Sequence, residues 1–162
     1  MKIDAKYLNP FFSAAYDVIT EMSEEEVQRG KLALNNSTEA RSAGFAVVIG
    51  VVSETENING RVILDMRKDT AIRFAEKMNF ETIGQFNDLV RSSMGEIGNM
   101  ISGRAISSLQ NQGYDFNITP PTLFEGDNML VTTPAGLPTV VVPLDTSFGR
   151  IMVNLALAAR VK

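Results

Sequence analysis

The chain has 162 residues, 44% apolar and 21% charged, with 15 Lys plus Arg against 19 Asp plus Glu for a net charge of −4. That is enough for one core of ordinary size and not comfortably enough for two, and the mild acidity without a Lys/Arg-rich run argues against nucleic acid or an anionic membrane surface as partner. With no Cys and no His, disulfide frameworks, thiolate sites and every triad or metal centre built on imidazole are excluded.

In chain order, Asn9-Pro10 is expected to open a first helix, with Phe11, Ala15, Val18, Ile19 and Met22 at helical spacing behind it. A short strand is expected at Lys31 to Leu34, then a longer, buried one from Ala43 to Ser53. Asn57 to Gly60 has turn chemistry, and a strand follows at Arg61 to Met66. Asp69 is expected to cap a short helix through about Met78. A long helix from about Thr82 to Gln112 then carries the stripe Phe86, Val90, Met94, Ile97, Ile101, Ala105 and Leu109, and Gly113 ends it. Pro120-Pro121 blocks further helix. Next come a strand near Leu123, a hairpin at Gly126 to Asn128, a strand from Met129 to Thr132 and a turn at Pro134 to Pro138. The last two strands are Thr139 to Leu144 and Arg150 to Leu157. The apolar stretch from Phe45 to Val52 is 8 residues, far below the roughly 20 of a spanning helix. The N-terminus lacks the basic-then-apolar order of a secretion signal, so the cytoplasm is the expected compartment.

A helix precedes each of two similar hairpins, the first built on Val47-Val48-Ile49 and Arg61-Val62-Ile63-Leu64, the second on Val140-Val141-Val142 and Arg150-Ile151-Met152-Val153. The expected fold is therefore α+β, with long helices packed on a mostly antiparallel sheet. It forms one domain over residues 1–162, made by a degenerate internal duplication.

Chemistry has one conspicuous place to sit. With Ile97 at the centre of the buried stripe, Ser92, Glu96, Asn99 and Gly103 fall together at roughly 100° to 160° to one side, a single ridge facing away from the core. Three glycines in this helix, Gly95, Gly98 and Gly103, each cost about 1 kcal/mol relative to Ala and imply that another backbone approaches closely. For Gly95 and Gly98 the expected neighbour is the first helix. For Gly103, which lies on the ridge, it is a docking partner. Five Glu residues are followed three positions later by Asn: Glu54/Asn57, Glu56/Asn59, Glu76/Asn79, Glu96/Asn99 and Glu125/Asn128. Four lie in expected turns or at a helix end, where Asn is favoured. Only Glu96/Asn99 is in mid-helix, where Asn needs a reason.

Ser92-x3-Glu96-x2-Asn99-x21-Pro121 resembles the signature of the CheC/CheX/FliY phosphatases of bacterial chemotaxis, which reads Asp or Ser, x3, Glu, x2, Asn, x21, Pro. The opening Asn9-Pro10-Phe11 helix, the paired hairpins and the long motif helix extend the resemblance over nearly the whole chain. CheC-type relatives carry the motif twice. Here the first helix offers Ser13-x3-Asp17-x2-Thr20, with both working residues altered and Ser42 where the Pro would stand. A single intact copy, without the extra domain of a FliY-like switch protein, resembles the CheX type.

The resemblance implies removal of the phosphoryl group from the aspartate of a phosphorylated CheY-type response regulator. It implies that Asn99 orients the attacking water and that Glu96 docks to the regulator's active-site Lys. It implies structural parts for Ser92 and Pro121. No cofactor or metal belongs to the chain itself, because the regulator's own active site supplies Mg2+. The family also implies a homodimer made by joining sheets, and the apolar strands Thr139 to Leu144 and Arg150 to Leu157 are the expected edges. A non-catalytic regulator-binding module, acting as a phosphate sink or a switch-complex component, is the alternative on the same scaffold.

Overall fold

The structure is a computed structural model that describes residues 4–133 and 137–160. The chain runs α1 (Ala5–Ser23), β1 (Gln28–Arg29), β2 (Ala33–Asn35), β3 (Glu39–Arg41), β4 (Phe45–Ser53) and β5 (Ile58–Met66). Then come α2 (Lys68–Asn79), α3 (Asp88–Asn111), β6 (Asn117–Ile118), β7 (Thr122–Glu125), β8 (Leu130–Thr132), β9 (Thr139–Thr146) and β10 (Gly149–Ala159).

Strict alternation builds the sheet. In β4 the side chains of Phe45, Val47, Ile49 and Val51 are buried against the helices, as are Val62, Leu64 and Met66 of β5 and Ile151, Val153, Leu155 and Leu157 of β10. Antiparallel pairing joins β4 to β5 from Phe45↔Met66 to Ser53↔Ile58, and β5 to β10 from Met66↔Ile151 to Ile58↔Ala159. Helices α1 and α3 cover one face with Phe11, Ala15, Val18 and Ile19 from α1 and Val90, Met94, Ile97 and Ile101 from α3. On the other face Ala46, Ile63, Val141 and Ala156 are buried outside that cluster. There a two-stranded ribbon of β3 and β8 stands over a cavity of about 190 Å³ whose lining includes Arg61, Asp65 and Asn154.

The sheet order β1-β9-β10-β5-β4-β6 is a palindrome of the two halves. Each long helix sends its next strand to the other half's hairpin: β1, after α1, pairs with β9, and β6, after α3, pairs with β4. The helices repeat in detail as well. The Ser23 hydroxyl donates to the Ile19 carbonyl at 2.8 Å, and the Ser102 hydroxyl donates to the Gly98 carbonyl at 2.8 Å. Ser23 follows Ser13 by the same interval as Ser102 follows Ser92, so the two motif helices are in register.

Several expectations are corrected. Helix α1 begins before Asn9: Asp4 is the N-cap, its carboxylate accepting from the Lys6 amide, and Pro10 lies inside the helix. Pro10 forfeits the hydrogen bond to the Lys6 carbonyl, but its neighbours Tyr7, Phe11 and Phe12 are buried and hold the turn in place. Arg67, not Asp69, occupies the N-cap of α2, without a side-chain cap. Helix α3 starts only after Asn87, because Glu76 binds the Ile83 and Gly84 amides and keeps the preceding loop from joining it. No hairpin links β7 and β8, since β7 pairs with β4 and β8 with β3. The expected turn at Pro134 to Pro138 lies in part outside the described residues. Strands β9 and β10 are not edges, because β10 sits between β9 and β5 and the outer side of β9 is taken by β1 and β2. The sheet instead ends at β1/β2 on one side and β6/β7 on the other, near exposed Leu32, Leu34 and Phe124.

Candidate functional site: the outer ridge of α3

Asn87 caps α3 by accepting from the Val90 amide, and Asp88 in the first turn suits the helix dipole. Val90, Ser93, Met94, Ile97, Gly98, Ile101, Ser102, Ala105 and Leu109 are buried. This arc spans roughly half the helix and is centred about 50° from Ile97, on the Ile101 side. Ser92, Glu96, Asn99 and Gly103 are all exposed on the opposite side, so the expected ridge faces solvent more squarely than a stripe centred on Ile97 implies. Residues three apart on a helix are surface neighbours, their Cβ atoms about 5–6 Å from one another, so the Glu96 carboxylate and Asn99 carboxamide project side by side.

The five Glu/Asn pairs now separate cleanly. Glu54 is ion-paired with Arg160 at 2.8 Å, and Asn57 turns the chain at φ 54° while donating to the Arg160 carbonyl. Glu56 accepts from the Tyr7 hydroxyl. Glu76 receives the Gly84 and Ile83 amides, which hold its carboxyl below the usual range, and the Asn79 amide donates to the Ala75 carbonyl and to the Ser93 hydroxyl. Glu125 is bidentate with Arg91, and that guanidinium lowers its pKa, while Asn128 makes a turn at φ 56°. Among the described residues neither Glu96 nor Asn99 takes part in a side-chain hydrogen bond or an ion pair. The nearby cations on α3 are already engaged, Arg91 with Asp88 and Glu125 and Arg104 with Glu21.

Gly95 and Gly98 play different parts from those expected. Gly98 meets the sheet rather than α1: a Cβ there would stand 2.9 Å from Val47 Cγ1, 3.3 Å from Ile49 Cδ1 and 3.7 Å from Pro121 Cγ. Pro121 thus packs beside α3 one residue from Asn99. It is held there by Thr119, whose amide donates to the Gly50 carbonyl and whose hydroxyl accepts from the Gly50 amide, bridging the gap between β6 and β7 along β4. Pro120 and Pro121 fit because an edge segment can spare its N–H groups. Gly95 and Gly103 would meet nothing within 4 Å, so no packing inside this chain requires either. Gly95 precedes Asn99 by one turn and flanks the ridge, a position the expectation of helix–helix packing misplaced.

The site is convex. The cavity beneath the β3–β8 ribbon does not include Glu96 or Asn99, and no group of three or more acidic, His or Cys side chains among the described residues could hold a metal. Two side chains that stand free on a rigid rod can enter a reaction centre belonging to another molecule; they cannot enclose a small substrate themselves. Asn79, which braces α2 against α3 through Ser93, was missed in the sequence because its Glu-x2-Asn spacing looked like an ordinary helix end.

The family model described as chemotaxis phosphatase CheX matches residues 48–145. A Thermotoga maritima protein named CheY-P phosphatase CheX is 28% identical over 130 residues, which is 80% of this chain and 81% of that protein. The crystal structure of the CheX–CheY–BeF3–Mg2+ complex from Borrelia burgdorferi contains a chain that is 32% identical, with a TM-score of 0.79 over 96% of this chain and 99% of that one. A CheC-like superfamily protein from Shewanella sp. PV-4 shares the fold with a TM-score of 0.85 at 21% identity, over 96% of this chain and 99% of that one. With the fold, the ridge and the family model in agreement over most of its length, the chain belongs to the CheX family of chemotaxis phosphatases.

Proposed function

We propose that this chain dephosphorylates a CheY-type response regulator by inserting the α3 ridge into the regulator's active site. The observation that carries the reading is the freedom of Glu96 and Asn99: alone among the five Glu/Asn pairs, both side chains are exposed in mid-helix and neither is spent on the fold. The relatives supply the partner, one being named a CheY-P phosphatase and another having been crystallised with CheY.

An aspartyl phosphate is a reactive mixed anhydride, so hydrolysis needs no enzyme nucleophile. The water oxygen bonds to phosphorus, the bond from phosphorus to the aspartate oxygen breaks, the carboxylate leaves and inorganic phosphate is released. The regulator's own Mg2+ neutralises charge on the phosphoryl group. The Asn99 carboxamide, able to donate and accept at once, holds the water in line, the role a Gln amide performs in GTPases. The Glu96 carboxylate, with no cation of its own, pairs with the regulator's Lys and fixes the register. Pro121 and Gly98 set the distance of this stretch of helix from the sheet. Ser92 and Gly103 keep the ridge low enough for the regulator to close on it.

Phosphate release from phosphorylated CheY tests the proposal. Asn99→Ala should still bind while losing about 100-fold or more in turnover, the scale on which misplacing a reacting group acts. Glu96→Ala should lose binding and rate together, by about 30-fold or more for a desolvated charge pair broken on one side. Full activity in Asn99→Ala removes that residue from the mechanism. If the native protein slows phosphate loss and shows no turnover at substoichiometric amounts, it is a binding module. We further infer that a second copy joins through one free edge of the sheet, where Leu32 and Leu34 are 55% and 58% exposed. Sedimentation of the chain, alone and with Leu34→Lys, checks this.

A further inference from the structure

The most exposed large apolar side chain among the described residues is not on the ridge. Phe80 is 89% exposed, at the C-cap of α2, with φ 55°. A left-handed C-cap is a glycine position by preference, and a bulky aromatic there carries backbone strain for no internal gain. The ring touches none of the aromatic clusters that tie Tyr7 to Tyr114 and Phe116, Phe45 to Phe86, or Phe74 to Phe148. Yet its backbone is firmly held. The Phe80 and Glu81 amides both donate to the Glu76 carbonyl, and the Glu76 carboxylate clamps the Ile83 and Gly84 amides at 2.9 Å each.

The position is informative as well. Asn79, immediately before Phe80, donates to the Ser93 hydroxyl at 2.8 Å. Ser93 precedes Glu96 by three residues, which is one turn along α3 and about 60° around it. Phe80 therefore flanks the Glu96 side of the ridge, on the order of 10–15 Å from it by way of the Asn79–Ser93 hydrogen bond. A standard protein interface covers about 800 Å² per partner, a patch of about 16 Å radius. One centred on Glu96 and Asn99 reaches Phe80.

We propose that Phe80 is the anchor by which the regulator is held while Glu96 and Asn99 act: its ring fills an apolar depression on the regulator's surface beside the active site. This rests on the reading of α3 as the regulator-docking ridge, and adds to it a specificity residue outside the motif helix. A large side chain that fills a well-packed, fully desolvated pocket on the partner is where binding energy concentrates in protein interfaces. Phe80 then adds to the affinity that the Glu96 ion pair supplies, and regulators differing only in that depression are distinguished by it.

The test uses steady-state phosphate release from phosphorylated CheY together with calorimetric binding to CheY carrying beryllofluoride and Mg2+. Phe80→Ala should raise KM and weaken beryllofluoride-CheY binding about tenfold or more, with kcat within twofold of native. Phe80→Gly should do the same while raising Tm, because it relieves the left-handed strain. That opposite movement of stability and binding separates an anchor from a structural residue. Unchanged KM and affinity in either variant overturns the proposal, as does a loss of kcat at constant KM, or a change in oligomeric state with native kinetics. If native protein turns over CheY and Asn99→Ala does not, a null result at Phe80 sinks only this inference. If Asn99→Ala is as active as native, the ridge reading fails and the anchor falls with it.

Discussion

Helices α1 and α3 are copies of one element, and only one of them presents the free pair. Register between them is fixed by the buried serines Ser23 and Ser102, each bonded to the carbonyl four residues back. Ser13 then matches Ser92, Asp17 matches Glu96 and Thr20 matches Asn99. The substitutions reach beyond these. Where α3 has Gly95, Gly98 and Gly103, the first copy has Tyr16, Ile19 and, at its C-cap, Glu24. Ile19 is fully buried and Glu24 is ion-paired to Lys77 at 2.8 Å. Asp17 lies in the field of Arg104, and the Thr20 hydroxyl oxygen is buried with no hydrogen-bond partner. The first copy has filled its glycine positions with side chains and carries neither the Glu nor the Asn of the free pair. In α3 Gly95 and Gly103 leave open space and, among the described residues, Glu96 and Asn99 stay unpaired, at a helix-propensity cost of about 1 kcal/mol for each glycine. That contrast separates side chains that the fold uses from side chains that it leaves free.

Writing α1 residues into α3 should break the contrast, in descending order of effect. Asn99→Thr removes the carboxamide and should lower phosphate release from phosphorylated CheY by about 100-fold or more, with beryllofluoride-CheY binding retained. Gly103→Glu places bulk and negative charge on the ridge. It should raise KM by about 10- to 100-fold through steric and like-charge exclusion, with Tm unchanged or higher. Gly98→Ile acts on a different link. Its side chain would meet Val47 at 2.9 Å and Ile49 at 3.3 Å, so the cost appears as about 1–3 kcal/mol of overpacking in urea denaturation. A stable Gly98→Ile variant would show that α3 does not need its close seat on β4.

How much of this was legible beforehand follows the range of the interactions. Val47, Ile49, Val62, Leu64, Val142 and Val153 alternate within their own strands, so β4, β5, β9 and β10 announced themselves locally. The ridge did too, because helical spacing alone brings Ser92, Glu96, Asn99 and Gly103 together. What could not be read depended on distant partners. Glu76 stops α3 from extending back through Thr82 by binding amides across a loop. The β7–β8 turn resembles a hairpin until β3 and β4 compete for its two arms. Pro10 hides the true start of α1, because Asn9-Pro10 has the form of a capped first turn and masks the Asp4 cap five residues earlier. Gly95 and Gly98 look alike in the sequence, and only the sheet beneath one of them tells them apart.

Gly95→Ala sharpens that last distinction. With nothing within 4 Å of the added methyl, the fold should gain about 0.5–1 kcal/mol in helix propensity. Thermal unfolding would show this as a higher Tm, whereas Gly98→Ala should not gain, since its methyl meets Val47 and Ile49. A Gly95→Ala variant that loses stability would mean that another group closes on this position.

The smallest effect concerns the ion pair that, among the described residues, ties the two motif helices together at their surface. Arg104 of α3 is bidentate to Glu21 of α1, at 2.7 and 2.6 Å. The guanidinium hydrogen bonds are the main cause holding the Glu21 carboxyl below its usual range. A carboxyl depressed in the folded state binds fewer protons there than in the unfolded chain. Its contribution is therefore present above the unfolded Glu value and is lost as the pH falls through the lower folded one. Glu21→Gln should flatten the acid limb of the stability profile slightly and leave neutral-pH turnover untouched, as expected for an exposed pair. Should Glu21→Gln instead change the rate on phosphorylated CheY, the α1 surface would be part of the docking face after all, and the division of labour between the two helices would need redrawing.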